Sequence, residues 1–206
     1  MEFRNKKAYG LVAEEYFQRR PLLIENNEKV INNLLKHLEI KENLSVLDVG
    51  VGSGLDLEIF NNNGFKTYGT DISEKMIELA RINSPNSQYY LGNFLDLEFG
   101  RKFSVIYAQA FIHLFPKGEI PKIFEKMYSI LENNGLIHFS TTIHSKPSEG
   151  LEEKKDYKEK VKRFRKRWAL NELNEFLETL ESVNLIHQYL VKDPMGKNWV
   201  NTIVGC

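Results

Sequence analysis

Residues 46–56 read Val-Leu-Asp-Val-Gly-Val-Gly-Ser-Gly-Leu-Asp, and they carry the clearest structural signal in this 206-residue chain. An apolar strand runs directly into a loop with glycine at every second position, and the loop runs into a helix. Glycines let the backbone turn sharply there, and they let a ligand sit against bare N–H groups at the positive end of the helix. The segment therefore predicts a ligand-binding loop at the carboxyl end of a buried strand.

A carboxylate follows this loop at the end of the second predicted strand. Asp71 stands in Tyr-Gly-Thr-Asp-Ile (residues 68–72), twenty-one positions after Gly50. A carboxylate at that place can accept both hydroxyls of a ribose that lies across the strand ends. The loop and Asp71 together predict a ligand that contains a ribonucleoside.

The spacing of the glycines narrows the class of ligand. The dinucleotide fingerprint is Gly-x-Gly-x-x-Gly, but Leu55 occupies the position of its third glycine. The loop also lacks the lysine that follows the glycines of a nucleoside-triphosphate loop. The pattern therefore favours neither a dinucleotide nor a nucleoside triphosphate.

The segments around the loop alternate between strand-like and helix-like patterns. Short apolar runs predict five strands, at Ser45–Val49, Lys66–Gly69, Gln88–Leu91, Phe103–Tyr107 and Leu136–Thr141. Helical spacing of apolar residues predicts helices over Glu14–Leu38 (broken at Pro21), Glu74–Ile82 (capped by Ser73), Lys117–Leu131 and Ala169–Ser182. Strands separated by helices indicate a parallel sheet. The last two predicted strands, Leu185–Val191 and Trp199–Val204, are joined by a short loop, which indicates one reversed strand.

This combination resembles the class I S-adenosylmethionine-dependent methyltransferases. The resemblance covers residues 8–141 and implies an α/β, Rossmann-like fold with a mostly parallel seven-stranded sheet in the order 3-2-1-4-5-7-6. The last strand would be antiparallel, and helices would cover both faces. The resemblance also implies one domain over residues 1–206, with an N-terminal helical cap at 1–40 and a lid-like insertion at 142–168 between strand 5 and the following helix.

The resemblance implies S-adenosylmethionine as cofactor, with S-adenosylhomocysteine as product and no metal. Tyr16 and Arg19 match a segment that closes over the cofactor in small-molecule members, and the backbone at Ala108 matches the methionine side. Asn93 stands where the family usually has an acidic residue for the adenine amino group, and Phe94 can cover the purine. The implied cofactor-binding residues are Tyr16, Arg19, Asp48, Gly50, Gly52, Gly54, Asp71, Ile72, Asn93, Phe94 and Ala108. Asp48 is expected to orient the loop, and Asp56 to be a charge at the start of a helix.

Methyl transfer is an in-line displacement, so the protein chiefly aligns the acceptor, and a hydroxyl or ammonium acceptor also needs a base. His113 follows strand four on the cofactor side of the sheet, and His144 comes just past strand five. They are the two candidate catalytic residues. The alternatives are a structural histidine at 113 and an exposed one at 144.

Residues 154–167 contain nine lysines and arginines against Asp156 and Glu159. One interpretation is a mobile lid that recruits an anionic acceptor, and another is an RNA-facing patch. The third is a solvated amphipathic helix with Val161, Phe164 and Trp168 turned inward. Nearby in the tail, Asp193 and Lys197 could pair with each other, and Trp168 or Trp199 could wall a substrate pocket.

Composition limits the remaining possibilities. Twenty-eight basic residues balance 28 acidic ones, which argues against a dedicated nucleic-acid binder. The single cysteine, Cys206, excludes an internal disulfide framework or a thiolate metal cluster. The chain shows no membrane-spanning run and no signal peptide, so a cytoplasmic monomer or homodimer is expected.

These observations predict a methyltransferase for a small molecule, with O-methylation of a polar or anionic metabolite as the expected reaction. Binding to nucleic acid or to a membrane is not expected. One alternative is an RNA or protein methyltransferase that uses a basic helix at 154–167. The other is a nucleoside-binding sensor without catalytic activity.

Overall fold

The computed structural model describes residues 2–40, 42–154, 157–158, 160–180 and 183–205. Nine strands are assigned in this part of the chain: β1 Ser45–Val49, β2 Lys66–Asp71, β3 Gln88–Leu91, β4 Phe103–Ala108, β5 Leu131–Thr142, β6 Ser148–Lys154, β7 Val161–Arg167, β8 Asn184–Lys192 and β9 Asn198–Gly205. Six α-helices accompany them: α1 Glu2–Gln18, α2 Ile24–Leu35, α3 Leu55–Asn62, α4 Glu74–Asn83, α5 Ile120–Ser129 and α6 Leu170–Glu178.

Seven of these strands form the main sheet, in the order β3-β2-β1-β4-β5-β9-β8. The pairs from β3 to β5 are parallel, whereas β9 is antiparallel to both of its neighbours. This is the predicted order 3-2-1-4-5-7-6, because β6 and β7 form a separate two-stranded hairpin. The α/β, Rossmann-like fold with one reversed strand is therefore confirmed.

Helices cover both faces of the sheet, so the central strands β1 and β4 are buried on both sides. One apolar layer includes Ile31 of α2, Phe60 of α3 and Ala80 of α4. The opposite layer includes Phe124 of α5 and Phe176 of α6. The sheet edge at the carboxyl ends of the parallel strands lies between these layers.

Several predicted helix limits need adjustment. The predicted cap of α4 is present, because the Ser73 side chain accepts the Met76 amide at 3.4 Å. The first helix begins at Glu2 rather than Glu14, and the break at Pro21 is a short 3₁₀ turn, Arg20–Leu22. In the predicted helix at 169–182, α6 ends at Glu178, and residues 181 and 182 lie outside the described residues.

The predicted basic helix at residues 154–167 is wrong, because β6 and β7 form an antiparallel hairpin there. Lys155, Asp156 and Glu159 lie outside the described residues. The spacing of Val161, Phe164 and Trp168 suits a helix, but β7 is covered on both faces and buries Val161 and Phe164 as a strand. Helix α1 packs on β7, with Val161 against Ala8 and Val12.

No described helix is both long enough and apolar enough to span a membrane.

Candidate active site

The carboxyl ends of the parallel strands open into a cavity of about 290 Å³. Its wall includes the loops after β1 to β4, Thr142 at the end of β5, and side chains from α1 and the β6–β7 and β8–β9 hairpins. Of the predicted site residues, the wall contains Tyr16, Asp48, Gly50, Gly52, Asp71, Ile72, Asn93, Phe94 and His113. The wall does not include Arg19, Gly54, Ala108 or His144.

The backbone amides of the glycine loop are largely bonded within the protein, so the prediction of bare N–H groups is wrong. The amides of Gly50 and Val51 donate to the carbonyl oxygen of Thr70 at 2.8 and 2.9 Å. The amide of Gly54 donates to the carbonyl oxygen of Val51 at 3.0 Å. A sharp turn beside a parallel strand must satisfy its buried amides within the fold. The loop therefore offers a ligand a surface without side chains rather than a row of free donors.

Asp71 joins the glycine loop to the turn after β2. Its Oδ2 accepts the amide of Gly52 at 3.1 Å, and its Oδ1 accepts the amide of Ser73 at 2.8 Å. Burial raises the pKa of Asp71 to about 6, although its bonds to backbone amides act in the opposite direction. Each carboxylate oxygen keeps acceptor capacity beyond these bonds, so Asp71 can still accept hydroxyl groups from a ligand.

Two glycines of the loop are required by conformation and by close neighbours. Gly50 and Gly52 have φ values of +78° and +53°. A Cβ atom on Gly50 would lie 2.8 Å from Cδ2 of Phe111, and one on Gly52 would lie 3.3 Å from Cε1 of Tyr16. Both aromatic rings belong to the cavity wall, so they lie directly against the loop backbone.

Gly54 has a different role in the structure. Its φ is +77°, and a Cβ atom there would lie 2.9 Å from Cα of Ala80 in α4. Packing of α4 against the start of α3 therefore explains this glycine without a contact to the cavity.

One end of the cavity is acidic. Asp48 is 3% exposed and Asp56 is 8% exposed, and both lie in the wall with Asp71. Burial and the charges of Asp56 and Asp71 raise the pKa of Asp48. Burial also raises the pKa of Asp56, whose Oδ1 accepts the side-chain amide of Asn27 at 2.6 Å. Asp56 does stand in the first turn of α3, as predicted, but it also faces the cavity.

The turn after β3 supplies a partly apolar wall. Asn93 Oδ1 accepts the amide of Leu95 at 3.3 Å, and its side-chain amide donates to Asp96 at 3.0 Å. Phe94 is 4% exposed and meets the edge of Phe111 at a ring separation of 6.1 Å. Asn93 thus shapes its own turn.

Arg19 and Ala108 lie just behind the wall. Arg19 donates to Glu15 at 2.7 Å, and its guanidinium stands 4.0 Å from the ring centroid of Tyr157, which does line the cavity. Ala108 is fully buried at the end of β4 and is followed by Gln109 in the wall.

The two candidate histidines occupy different positions. His113 lines the cavity, is 3% exposed, and has Nδ1 3.4 Å from the hydroxyl of Thr141. Its ring centroid lies 6.2 Å from that of Trp199. His144 lies behind the wall, with Nε2 3.0 Å from the hydroxyl of Thr142. Burial and neighbouring arginine charges lower the pKa of His144, so it is neutral at pH 7.

Within the described part of the chain, no group of three or more His, Cys, Asp or Glu side chains could hold a metal ion.

Residues 46–135 match the family model described as a methyltransferase domain. These residues are therefore similar to a methyltransferase domain. The matched residues begin in β1 and end in β5, so they include the glycine loop and Asp71.

Curated relatives and solved structures resemble this chain at low identity or over a short part of its length. The dTDP-3-amino-3,4,6-trideoxy-alpha-D-glucopyranose N,N-dimethyltransferase of Streptomyces venezuelae is 39% identical over 62 residues, which cover 30% of this chain and 26% of the relative. The phosphoethanolamine N-methyltransferase of Plasmodium falciparum is 29% identical over 181 residues, which cover 85% of this chain and 66% of the relative. The glycopeptide N-methyltransferase MtfA, in complex with S-adenosylhomocysteine, has a TM-score of 0.69 at 12% identity and covers 87% of this chain and 89% of its own. Across three of the curated relatives, the matches span 26% to 49% of the relative's length.

The cavity also has a basic wall whose geometry was missed from the sequence. Arg163 and Arg165 of β7 lie in the cavity wall. Arg163 donates to the hydroxyl of Tyr9, and Arg165 donates to the hydroxyl of Thr142 at 2.5 Å. A helix would turn these two arginines to different sides, whereas a strand places them on one face. The repeat of arginine at positions 163, 165 and 167 is the signal that indicates this arrangement.

The β8–β9 turn closes another side of the cavity. Asp193, Lys197 and Trp199 all lie in the wall. Asp193 accepts the backbone amide of Lys197 at 2.8 Å through Oδ1 and the Trp199 indole N–H at 2.8 Å through Oδ2. The expected contact of Asp193 with Lys197 thus runs through the lysine backbone. Trp168, by contrast, is fully buried in the core and does not reach the cavity.

Proposed function

We propose that this protein transfers the methyl group of S-adenosylmethionine to an oxygen atom of a small polar or anionic acceptor. The observation that carries the proposal is the joint position of the glycine loop and Asp71 at one cavity, within the segment that matches a methyltransferase domain. The MtfA structure, which contains S-adenosylhomocysteine, has the same fold.

The residues present fit an adenosine-bearing sulfonium. Gly50 and Gly52 form a cradle that a Cβ atom would fill, and the carboxylate of Asp71 stands beside it as a hydroxyl acceptor. The ring of Phe94 supplies an apolar surface for a purine. When bound, the cofactor supplies both the electrophilic methyl carbon and the leaving group.

The charges at this end of the cavity favour a cation. Asp48, Asp56 and Asp71 all line the cavity, and their burial strengthens the attraction that they exert once ionised. A sulfonium and an ammonium group are both cations. This acidic wall therefore supports binding of the donor, while the remainder of the cavity is left to the acceptor.

The remaining task of the protein is to align the acceptor and to remove its proton. We assign His113 as the base, because it lines the cavity and its ring approaches that of Trp199, which lines the cavity as well. His144 is the second candidate, since it is neutral at pH 7 and contacts Thr142, which itself lines the cavity. It would act through Thr142 rather than on the acceptor directly.

Transfer to nitrogen is the second candidate function. The phosphoethanolamine and amino-sugar enzymes among the curated relatives are named as N-methyltransferases, although this chain matches them at low identity or over a short part of their length. A buried base serves an ammonium acceptor as well as a hydroxyl, so the site chemistry allows both.

A methyl-transfer screen tests the proposal. The protein is incubated with tritiated S-adenosylmethionine and matched alcohol, carboxylic acid, phosphonate and amine metabolites, with cellular RNA and protein as parallel substrates. Label on an oxygen of a small acceptor is the expected result. Label on amines alone would move the assignment to N-transfer, and label on RNA or protein alone would replace the small-molecule assignment. Binding of S-adenosylhomocysteine with no transfer to any substrate would indicate a sensor.

A further inference from the structure

We propose that Arg163 and Arg165 form an oxyanion subsite, which selects acceptors that carry a carboxylate, phosphate or phosphonate group. The inference rests on the proposed function, because it names the class of acceptor for the same cavity. Both arginines project from one face of β7, two positions apart, and both line the cavity.

The two guanidinium groups are held in place by neutral partners. Arg163 is 7% exposed and donates to the hydroxyl of Tyr9. Arg165 donates through Nη2 to the hydroxyl of Thr142 at 2.5 Å, and its Nε is buried without a hydrogen-bond partner among the described residues. An arginine held by one donor nitrogen keeps several N–H groups for a ligand.

Neither arginine has a carboxylate partner within ion-pair distance in the part of the chain that the structure describes. Their neighbours on β7 differ in this respect. Arg167 binds Glu152 through two hydrogen bonds of 2.7 and 2.9 Å, and Lys166 pairs with Glu172 at 2.7 Å. Arg163 is buried and Arg165 is partly buried, and the charge of Glu152 acts on Arg165 from beyond ion-pair distance. Burial of a cation without an ion-pair partner carries a desolvation cost, which an incoming anion would offset.

The arrangement suits an anion better than a neutral group. Guanidinium groups bind carboxylate and phosphate oxygens through paired, parallel hydrogen bonds. The acidic wall around Asp71 supports the cationic donor, so the basic wall around Arg165 is left for an anionic acceptor. Thr142, which positions Arg165, lies in register with Trp199. The proposed base, His113, approaches that same tryptophan, so the subsite places the anionic end of an acceptor close to the reacting group.

Anion binding can be measured without turnover. The wild-type protein is saturated with S-adenosylhomocysteine and titrated calorimetrically with inorganic phosphate and with methylphosphonate. The same titrations are made with Arg163→Gln, Arg165→Gln and the charge-preserving Arg165→Lys. Lys162→Gln is the matched control, because it removes one positive charge from an exposed position on the same strand. Affinity for S-adenosylhomocysteine reports whether each variant is folded.

The expected result is that wild type and Lys162→Gln bind the anions equally. Each arginine-to-glutamine variant should bind them about 10- to 100-fold more weakly, the range of a lost charged hydrogen bond. The anion affinity of Arg165→Lys should lie between those of wild type and Arg165→Gln, because lysine keeps the charge but lacks the planar guanidinium group. Affinity for S-adenosylhomocysteine should be unchanged in all variants.

Three results would overturn the subsite. The first is that neither anion binds to wild type although S-adenosylhomocysteine does, which leaves the proposed function intact. The second is that Arg165→Gln weakens S-adenosylhomocysteine rather than phosphate, which would assign the arginine to the cofactor carboxylate. The third is that Lys162→Gln weakens phosphate binding as much as Arg165→Gln does, which would indicate a diffuse basic surface rather than a subsite. If S-adenosylhomocysteine itself does not bind wild type, the proposed function fails first.

Discussion

The Oδ2 atom of Asp71 accepts the backbone amide of Gly52 at 3.1 Å, so the carboxylate that closes β2 also holds the loop that follows β1. Its other oxygen accepts the amide of Ser73, which begins the turn into α4. If Asp71 binds a ribose as proposed, that recognition is coupled to the shape of the glycine loop through one side chain. Any ligand that draws on the free lone pairs of Asp71 also acts on the position of Gly52.

Two substitutions of Asp71 should weaken cofactor binding to different degrees. Asp71→Asn keeps an acceptor oxygen but removes the charge. Asp71→Ala removes the charge and also leaves the Gly52 amide without its acceptor. We expect Asp71→Ala to lose about 1.5–3 kcal/mol of S-adenosylhomocysteine binding, the value of a charged hydrogen bond. Asp71→Asn should lose less. Calorimetry measures both, with Glu74→Ala as an exposed acidic control one turn away. Unchanged affinity in Asp71→Ala would remove Asp71 from the binding site.

Cofactor affinity should depend on pH through the same carboxylate. The pKa of Asp71 in the folded protein is about 6, and the ordinary value is 3.8. Ribose hydroxyls bind the ionised form, so affinity should fall about tenfold from pH 7 to pH 5. The stability of the ligand-free protein should depend on pH in the opposite sense, because the contribution of Asp71 falls as pH rises. The folded state binds the proton more tightly, so this group stabilises the fold below about pH 4 and loses that contribution as pH rises through about 6.

Calorimetric titrations at about pH 5, 6 and 7 check this dependence. Asp56 has a raised pKa as well, so Asp71→Asn should flatten the pH profile rather than remove it. A wild-type profile that is flat over this range would show that the ligand does not depend on ionised carboxylates.

Gly54 should be more sensitive to substitution than a glycine of similar backbone conformation in open space. Gly54 and Gly64 have φ values of +77° and +82°, but only Gly54 faces a close neighbour, because a Cβ atom on it would lie 2.9 Å from Cα of Ala80. Gly64→Ala should cost about 1–2 kcal/mol, the strain of a left-handed alanine. Gly54→Ala should cost more, because α4 must move. Urea unfolding of both variants measures the difference, and equal losses would contradict the packing role.

The sequence predicted those parts of the site that depend on contiguous residues and their conformational demands. Gly50 and Gly52 need positive φ, and Asp71 ends a strand beside them, so the spacing alone indicated that these residues meet at one end of the cavity. Arg163 and Arg165 were not placed, because a strand buried on both faces loses the simple alternation that distinguishes it from a helix. The hydrogen bonds of the Gly50, Val51 and Gly52 amides were missed for another reason: their acceptors lie on the neighbouring strand β2.

His113 should control the chemical step rather than binding. If it is the base, His113→Gln should lower kcat by roughly 10²–10⁴ and leave the affinity for S-adenosylhomocysteine unchanged. His144→Gln should have a smaller effect, because His144 reaches the cavity through Thr142. His187→Gln, a histidine in β8 outside the cavity wall, is the control. Single-turnover methyl transfer measures all three. A normal rate in His113→Gln would mean that alignment of the acceptor is sufficient.

Asp193 should act on the acceptor through the position of Trp199. Its two oxygens accept the Lys197 amide and the Trp199 indole N–H, so Asp193→Asn leaves one donor facing an NH₂ group. We expect a loss of about 1–3 kcal/mol in unfolding free energy, because Asp193 is buried. We also expect a higher KM for the acceptor with unchanged S-adenosylhomocysteine affinity. A double-mutant cycle with Trp199→Phe separates the contributions, since Asp193→Asn should cost less once the indole donor is gone. Additive losses would show that Asp193 orders the turn without positioning Trp199.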